Sequence, residues 1–406
     1  MPKQLTHLLT VGVQIFLLLT CMFFFLLENG KAHSFALYLL ALASLTLLAI
    51  NFSKLRLLTP AAGTAVAVFI VYMMASSFWS DIDQGSKYIG YTLLLLLFLI
   101  SIPVSLAQHA RFMTWLVSAI IMAATVNAAY SVHLHFLLPE YQPLPEPRLY
   151  AIGRLSNPVI GALSYGLASV MCIHRLLTVR SNLLRGGLIV CLAILLWAIV
   201  LTGSRAVWLA IGAALAAGLF LRFNHHSLSR RLAWIGVSLA GLTLLVGGTL
   251  GFELIWARAL SFRPEIWGEF ISRTIEGNAL FGVGLGTSTL FQLPELLIKH
   301  PHSLFVSTFH YGGVVGLALY CAMLTAVISA ASELQDSEQR HLTLMLLAFG
   351  ITATFFDGNE AVSKIDHLWL IIWLPVGLAL SAGGVVPNQP IGHDEVDHAE
   401  THEGRV

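Results

Sequence analysis

Charged residues are scarce in this chain. Of its 406 residues only 11% are Asp, Glu, Lys or Arg, while 57% are hydrophobic, and the mean hydropathy is +0.80. A soluble protein is about a quarter charged. Water is therefore excluded as the main solvent, and nearly every spanning segment has to be a helix or part of a closed barrel. Strict alternation of apolar and polar residues is also missing. The apolar runs reach roughly 17–22 residues, where a barrel strand needs only ~10, so helices remain. Cysteine is rare: Cys21, Cys172, Cys191 and Cys321 all fall inside apolar runs without ligand spacing, which predicts neither a disulfide nor a metal site from them. No period of about 20–50 residues repeats, excluding a solenoid. No inverted repeat is visible, which counts against a transporter. The first apolar run, Leu8–Leu27, ends at Glu28-Asn29-Gly30 without a small-residue cleavage site, and is expected to be a retained helix. The net charge of +1 singles out no partner.

The apolar runs predict an all-α integral membrane protein with about twelve transmembrane helices. They lie near 8–27, 33–50, 61–78, 89–107, 113–136, 158–177, 186–202, 206–221, 232–250, 304–328, 341–356 and 367–383. Residues 1–251 would hold the first nine helices with short loops, 252–303 a large outer loop containing short helices, 304–386 the last three helices, and 387–406 a disordered, acidic cytoplasmic tail. Lys and Arg divide almost evenly between the two sides. The short connections HRLLTVRSNLLR and RFNHHSLSRR have the basic character of cytoplasmic loops, which places both termini inside. The basic excess on the outer side sits in two longer segments, 137–157 and 252–303, and an anionic ligand there would explain it.

The second of these segments is the main polar interruption, RALSFRPEIWGEFISRTIEGNALFGVGLGTS, closing with KHPHS. Arg263 precedes Pro264, which suits a first helical position, so Arg263 should stand at the mouth of a short amphipathic helix where an anion is also favoured. Trp267, one turn on, is placed to stack on a sugar or to anchor the helix on the membrane. Arg258 and Arg273 add charge to the same segment. Arg205, in LTGSRAVWLA, sits between two apolar runs with almost no loop; arginine so close to lipid is retained where it pairs or lines a wet cavity, and its fork suits phosphate oxygens. Arg148 and Arg154 lie in the proline-rich YQPLPEPRLYAIGRLSNP, with Arg154 nearer the membrane surface.

His302 opens the run SLFVSTFHYGGVVGLALY, and its imidazole can take a proton near neutral pH. His300, two residues earlier, is expected to face elsewhere, and His310 to lie within the membrane. Asp81 and Asp83 form an Asp-x-Asp pair in WSDIDQGSK, a weak signal for a metal. The tail histidines His393, His398 and His402 read as a solvated tail before a metal site. Gly282, Gly284 and Gly286 follow no strand and open no nucleotide-binding unit, so they read as a close-turning loop near the substrate.

Taken together, TGSRAVW (Thr202–Trp208), RPEIW (Arg263–Trp267), NALFGVGLGTS, and His302-Ser303 followed by Gly313-Val314-Val315-Gly316 resemble the O-antigen ligase family. The motifs cover roughly residues 200–320, and the layout of many helices with one large outer loop agrees along the chain. The resemblance implies a multi-span membrane glycosyltransferase (GT-C-like). Its activity would be transfer of O-antigen polysaccharide from undecaprenyl diphosphate to lipid A–core at the periplasmic face of the bacterial inner membrane, without metal, cofactor or nucleic acid. It matches His302 to an essential histidine and Arg205 and Arg263 to two essential arginines, and it extends less firmly to Arg154 and to Asp357 in FFDGNE. Arg148, Arg154, Trp267, Arg273 and Asp357 are thus the expected substrate contacts. An O-antigen polymerase or a protein O-oligosaccharyltransferase would share this pattern and differ in acceptor. A lipid-linked glycan transporter would instead spread its basic residues along a path through the membrane.

Overall fold

A computed structural model describes residues 3–28, 30–50, 59–82, 85–109, 111–137, 148–222, 262–293 and 296–381. Helices dominate: α1 (Lys3–Leu26), α2 (Gly30–Ile50), α3 (Pro60–Ser76), α4 (Gly85–Gln108), α5 (Phe112–Leu137), α6 (Pro158–Thr178), α7 (Asn182–Thr202), α8 (Ala206–Arg222), α9 (Arg263–Asn278), α10 (Leu304–Ser332), α11 (Ser337–Phe356) and, after a π-helical turn at Trp369–Trp373, α12 (Leu374–Leu380). Eight of them, α1–α7 and α10, are long and apolar enough to cross a membrane. The expected runs 206–221 and 367–383 appear as shorter apolar helices, Ala206–Leu221 and Trp369–Leu380. The run 341–356 falls in α11, whose first turn is polar. The run 232–250 lies outside the described residues, as do Arg258, Asp83 and the C-terminal tail. The expected twelve spans therefore become eight among the described residues.

Helix boundaries follow local chemistry. Asn157, Ser181, Ser303 and Asp336 cap α6, α7, α10 and α11, each accepting from a backbone N–H of the first turn. Gly203, with φ 63°, ends α7 in the left-handed conformation that glycine adopts without penalty. Three residues later α8 begins, so Arg205 immediately precedes it, and its carbonyl accepts from Trp208 N–H at 3.1 Å. The sharp α7–α8 turn is what holds an arginine at the edge of two apolar helices.

The core runs through α6, most of which is buried, whereas most of α7 is not. Gly166 of α6 lets Val207 of α8 and Phe349 of α11 close over it. The segment before α10 is not helical throughout: after α9 comes a two-stranded antiparallel hairpin, β1 (Phe291–Leu293) with β2 (Leu296–Ile298), Phe291 opposite Ile298. Ile266 and Phe270 of α9 and Ile298 of β2 are buried together, with Trp267, Phe291 and Val306 packed on them. Each fully buried side chain of that size contributes about 1.5–3 kcal/mol, so the α9–hairpin unit has its own small core. It is docked on α10 by the Thr274 hydroxyl, 2.9 Å from His310 Nδ1, and by Phe270 set edge-on to the His310 ring.

Candidate active site

Helix ends from distant parts of the sequence meet at one end of the bundle. α9 starts at Arg263 with Pro264 in its first turn. Arg263 Nη2 donates to the carbonyl of Phe356, the last residue of α11, at 3.1 Å. The next residue, Asp357, is buried and turns its carboxylate to two imidazoles: Oδ1 is 3.6 Å from His302 Nδ1, and Oδ2 is 3.3 Å from His367 Nε2. The second approach lacks hydrogen-bond alignment, since His367 Nε2 makes no hydrogen bond among the described residues. His302 itself lies just before the N-cap Ser303 of α10, with φ 53°. A left-handed backbone is uncommon for a residue with a side chain and here turns the ring toward Asp357.

The electrostatics bind these groups into one site. Burial lowers the Arg263 pKa, Asp357 raises it and Arg205 lowers it again, so the charges of Asp357 and Arg205 both act on Arg263. Burial pushes the Asp357 carboxyl up, but contacts with His302 and His367 outweigh that and hold it well below the usual carboxylate range. Arg263 Nε is buried and has no acceptor among the described residues. An orphaned charged donor beside a second arginine suits an anion with several oxygens.

Of the residues predicted from the sequence, Arg205, Arg263, His302 and Asp357 come together. Arg154 lies beside this group: its Nη2 donates to the Ile365 carbonyl, and its charge acts on Asp366. Arg148 donates from Nε to the Thr202 carbonyl at 2.7 Å and closes the end of α7. Trp267 donates from Nε1 to the Pro301 carbonyl at 3.0 Å and meets Phe355 edge-on at 5.5 Å. It thereby fixes the segment that carries His302. Arg273 is turned away, paired with Glu269 at 2.7 Å and set over the Phe291 ring. Asp81 lies in an exposed bend after α3.

One expectation changes. His300 does not face elsewhere: its ring is 3.9 Å from that of His302, because alternate residues of an extended segment share a side and the turn at His302 folds the rings together. The three glycines form the close-turning loop expected of them, each with a positive φ of 73°, 92° and 94° in turn. They are stitched into the bundle, with Gly282 against the break in α10, Gly284 against Ser76 and Ser80, and Gly286 against the Tyr88 ring.

His367 escaped the sequence reading, and so did its neighbour Asp366. Asp366 caps the last helix through Leu368 N–H at 2.9 Å and accepts from Ser363. Burial raises the pKa of Asp366, with His367 as the strongest opposing partner. The available signal was NEAVSKIDH, a polar stretch between two apolar runs and in continuity with Asp357.

No family model matches the chain. An O-antigen ligase of Pseudomonas aeruginosa is 30% identical to it over 370 residues, covering 89% of this chain and 87% of that protein.

Proposed function

Because the chain belongs to the O-antigen ligase family, we propose that it transfers O-antigen polysaccharide from undecaprenyl diphosphate to a sugar hydroxyl of lipid A–core at the periplasmic face of the inner membrane. His302 acts as the general base. Arg205 and Arg263 hold the diphosphate. Asp357 is a positioning residue that fixes the tautomer and aim of His302, while Arg148, Arg154 and Trp267 keep the surrounding segments in place. Neither a metal nor a cofactor is required.

The single observation that supports this reading is that Arg263, bonded to Phe356 beside Asp357, meets the His302–Asp357 pair, 3.6 Å apart, with the charge of Arg205 acting on Arg263. The chemistry needs these groups. A sugar hydroxyl is a weak nucleophile, so its proton has to leave as its oxygen attacks the anomeric carbon, and an imidazole can accept it. The bond from that carbon to the diphosphate oxygen breaks, and the charge moves onto the leaving diphosphate. Fixed guanidiniums stabilise that charge most in the transition state, each donor contributing typically ~3–4 kcal/mol. Attack opposite the leaving group inverts the sugar carbon. The diphosphate leaves as an anion and needs no general acid.

The acceptor is the finer question, and transfer by the purified chain answers it. With lipid-linked O-antigen as donor, glycan should appear on lipid A–core. Product on a second lipid-linked glycan would make the chain a polymerase, and product on a peptide a protein oligosaccharyltransferase.

A further inference from the structure

Around the proposed base, three side chains form a donor set of which the transfer reaction uses His302 and Asp357 and leaves His300 without a role. His300 and His302 are separated by one proline, their rings 3.9 Å apart, and Asp357 closes the group from the end of α11. One ligand atom from each lies within 4.8 Å of the others. The His302 side chain is 40% exposed, so an ion can reach the group from outside, while Asp357 is 8% exposed and forms its floor. Behind Asp357, His367 Nε2 lies 3.3 Å from the second carboxylate oxygen.

We propose that His300, His302 and Asp357 bind a divalent transition metal of the zinc type, and that the bound ion reversibly blocks glycan transfer. Two imidazoles and a carboxylate with one open position make a familiar zinc donor set. With bonds of ~2.0–2.2 Å, tetrahedral donors stand roughly 3.3–3.5 Å apart. The His302–Asp357 pair is already at 3.6 Å, so only the His300 ring has to close in. It sits on the irregular KHPH segment, which can give by that amount. Arg205 and Arg263 oppose another positive charge nearby, so the expected affinity is on the order of micromolar, far weaker than a closed structural site. Binding is independent of the reaction assigned above. The block rests on that assignment, because a metal on His302 occupies the lone pair the base would use.

The test uses the full chain in detergent with His393, His398 and His402 replaced by alanine, so that tail imidazoles cannot contribute. Zinc competition against a chromophoric chelator should give one ion per chain, and His300→Ala, His302→Ala or Asp357→Asn should each weaken binding at least ~10-fold. The Co2+ derivative should show the intense visible bands of a four-coordinate site in the parent and lose them in the variants. Transfer should stop at saturating zinc and return with chelator, and the activity ratio with and without zinc should approach one in His300→Ala. Binding that is substoichiometric, or equal in parent and variants, overturns the site. Stoichiometric binding through these residues with undiminished transfer upholds the site and removes His302 as the base.

Discussion

Gly282 and Gly313, more than thirty residues apart in sequence, pack backbone to backbone: a Cβ built on Gly282 would stand 2.5 Å from the Gly313 nitrogen. Gly313 has non-helical angles (φ 65°, ψ −162°) and breaks α10. The freed groups are taken up by the glycine loop. Val283 N–H donates to His310 O at 2.9 Å, Gly284 N–H to Tyr311 O at 3.0 Å, and Val314 N–H to Ala279 O at 2.9 Å. The Gly312 carbonyl accepts from the Tyr72 hydroxyl at 2.6 Å. The glycine pattern of both motifs is thus one interlocked joint, which anchors the α9–hairpin segment to α10, the helix that follows His302.

Alanine at Gly282 or Gly313 should therefore damage folding rather than chemistry. The left-handed backbone and the absence of room for a Cβ together cost more than ~1 kcal/mol. Thermal unfolding of the detergent-solubilised protein should shift downward in both variants, with less monodisperse material recovered. Unchanged melting would remove the joint.

Arg263→Lys should lower the transfer rate roughly 100-fold or more while the protein remains folded. An ammonium cannot reproduce a guanidinium that donates to the Phe356 carbonyl from Nη2 and presents a buried Nε with no acceptor among the described residues. Kinetics with lipid-linked donor give the answer, and a rate near that of the parent would separate Arg263 from the diphosphate.

Asp357→Asn keeps the shape but leaves His302 without its carboxylate. A rate loss of roughly 100-fold is expected, because a mis-aimed base forfeits much of its contribution. Donor binding should persist. If the variant instead loses donor affinity at an unchanged maximal rate, Asp357 contacts substrate rather than His302.

The group also predicts a pH dependence of stability. Burial, followed by the neighbouring His302, lowers the His300 pKa from 6.5 to about 4, with Asp357 opposing and His367 adding to the shift. Between these values the unfolded chain binds a proton at His300 that the folded chain does not, so stability falls as pH drops from about 6.5 toward 4. Asp357, with its depressed pKa, acts in the same direction at lower pH. His300→Gln should flatten the melting temperature against pH across that window. An identical slope in parent and variant would contradict this.

The sequence made much of this legible, and the reasons differ by element. Apolar runs locate α1–α7 and α10 because length and composition suffice for a spanning helix. Arg205 and Arg263 stand out because a charge at the lipid edge is costly. The hairpin Phe291–Ile298 was hidden because three-residue strands carry almost no periodic signal. His367 and Asp366 were hidden for another reason: His367 matters because it meets Asp357 across the loop and Asp366 because Arg154 and His367 face it, and nothing local announces either. The contact between His300 and His302 depended on the turn at His302, which the residue types around it do not favour.

The most direct test of the His302 assignment compares the parent and His302→Ala, both purified and reconstituted with lipid-linked O-antigen and lipid A–core, measuring donor binding and glycan transfer on the same preparations. The account predicts donor affinity within about twofold of the parent and transfer reduced by ~100-fold or more. Transfer at the parental rate by the alanine variant would contradict it.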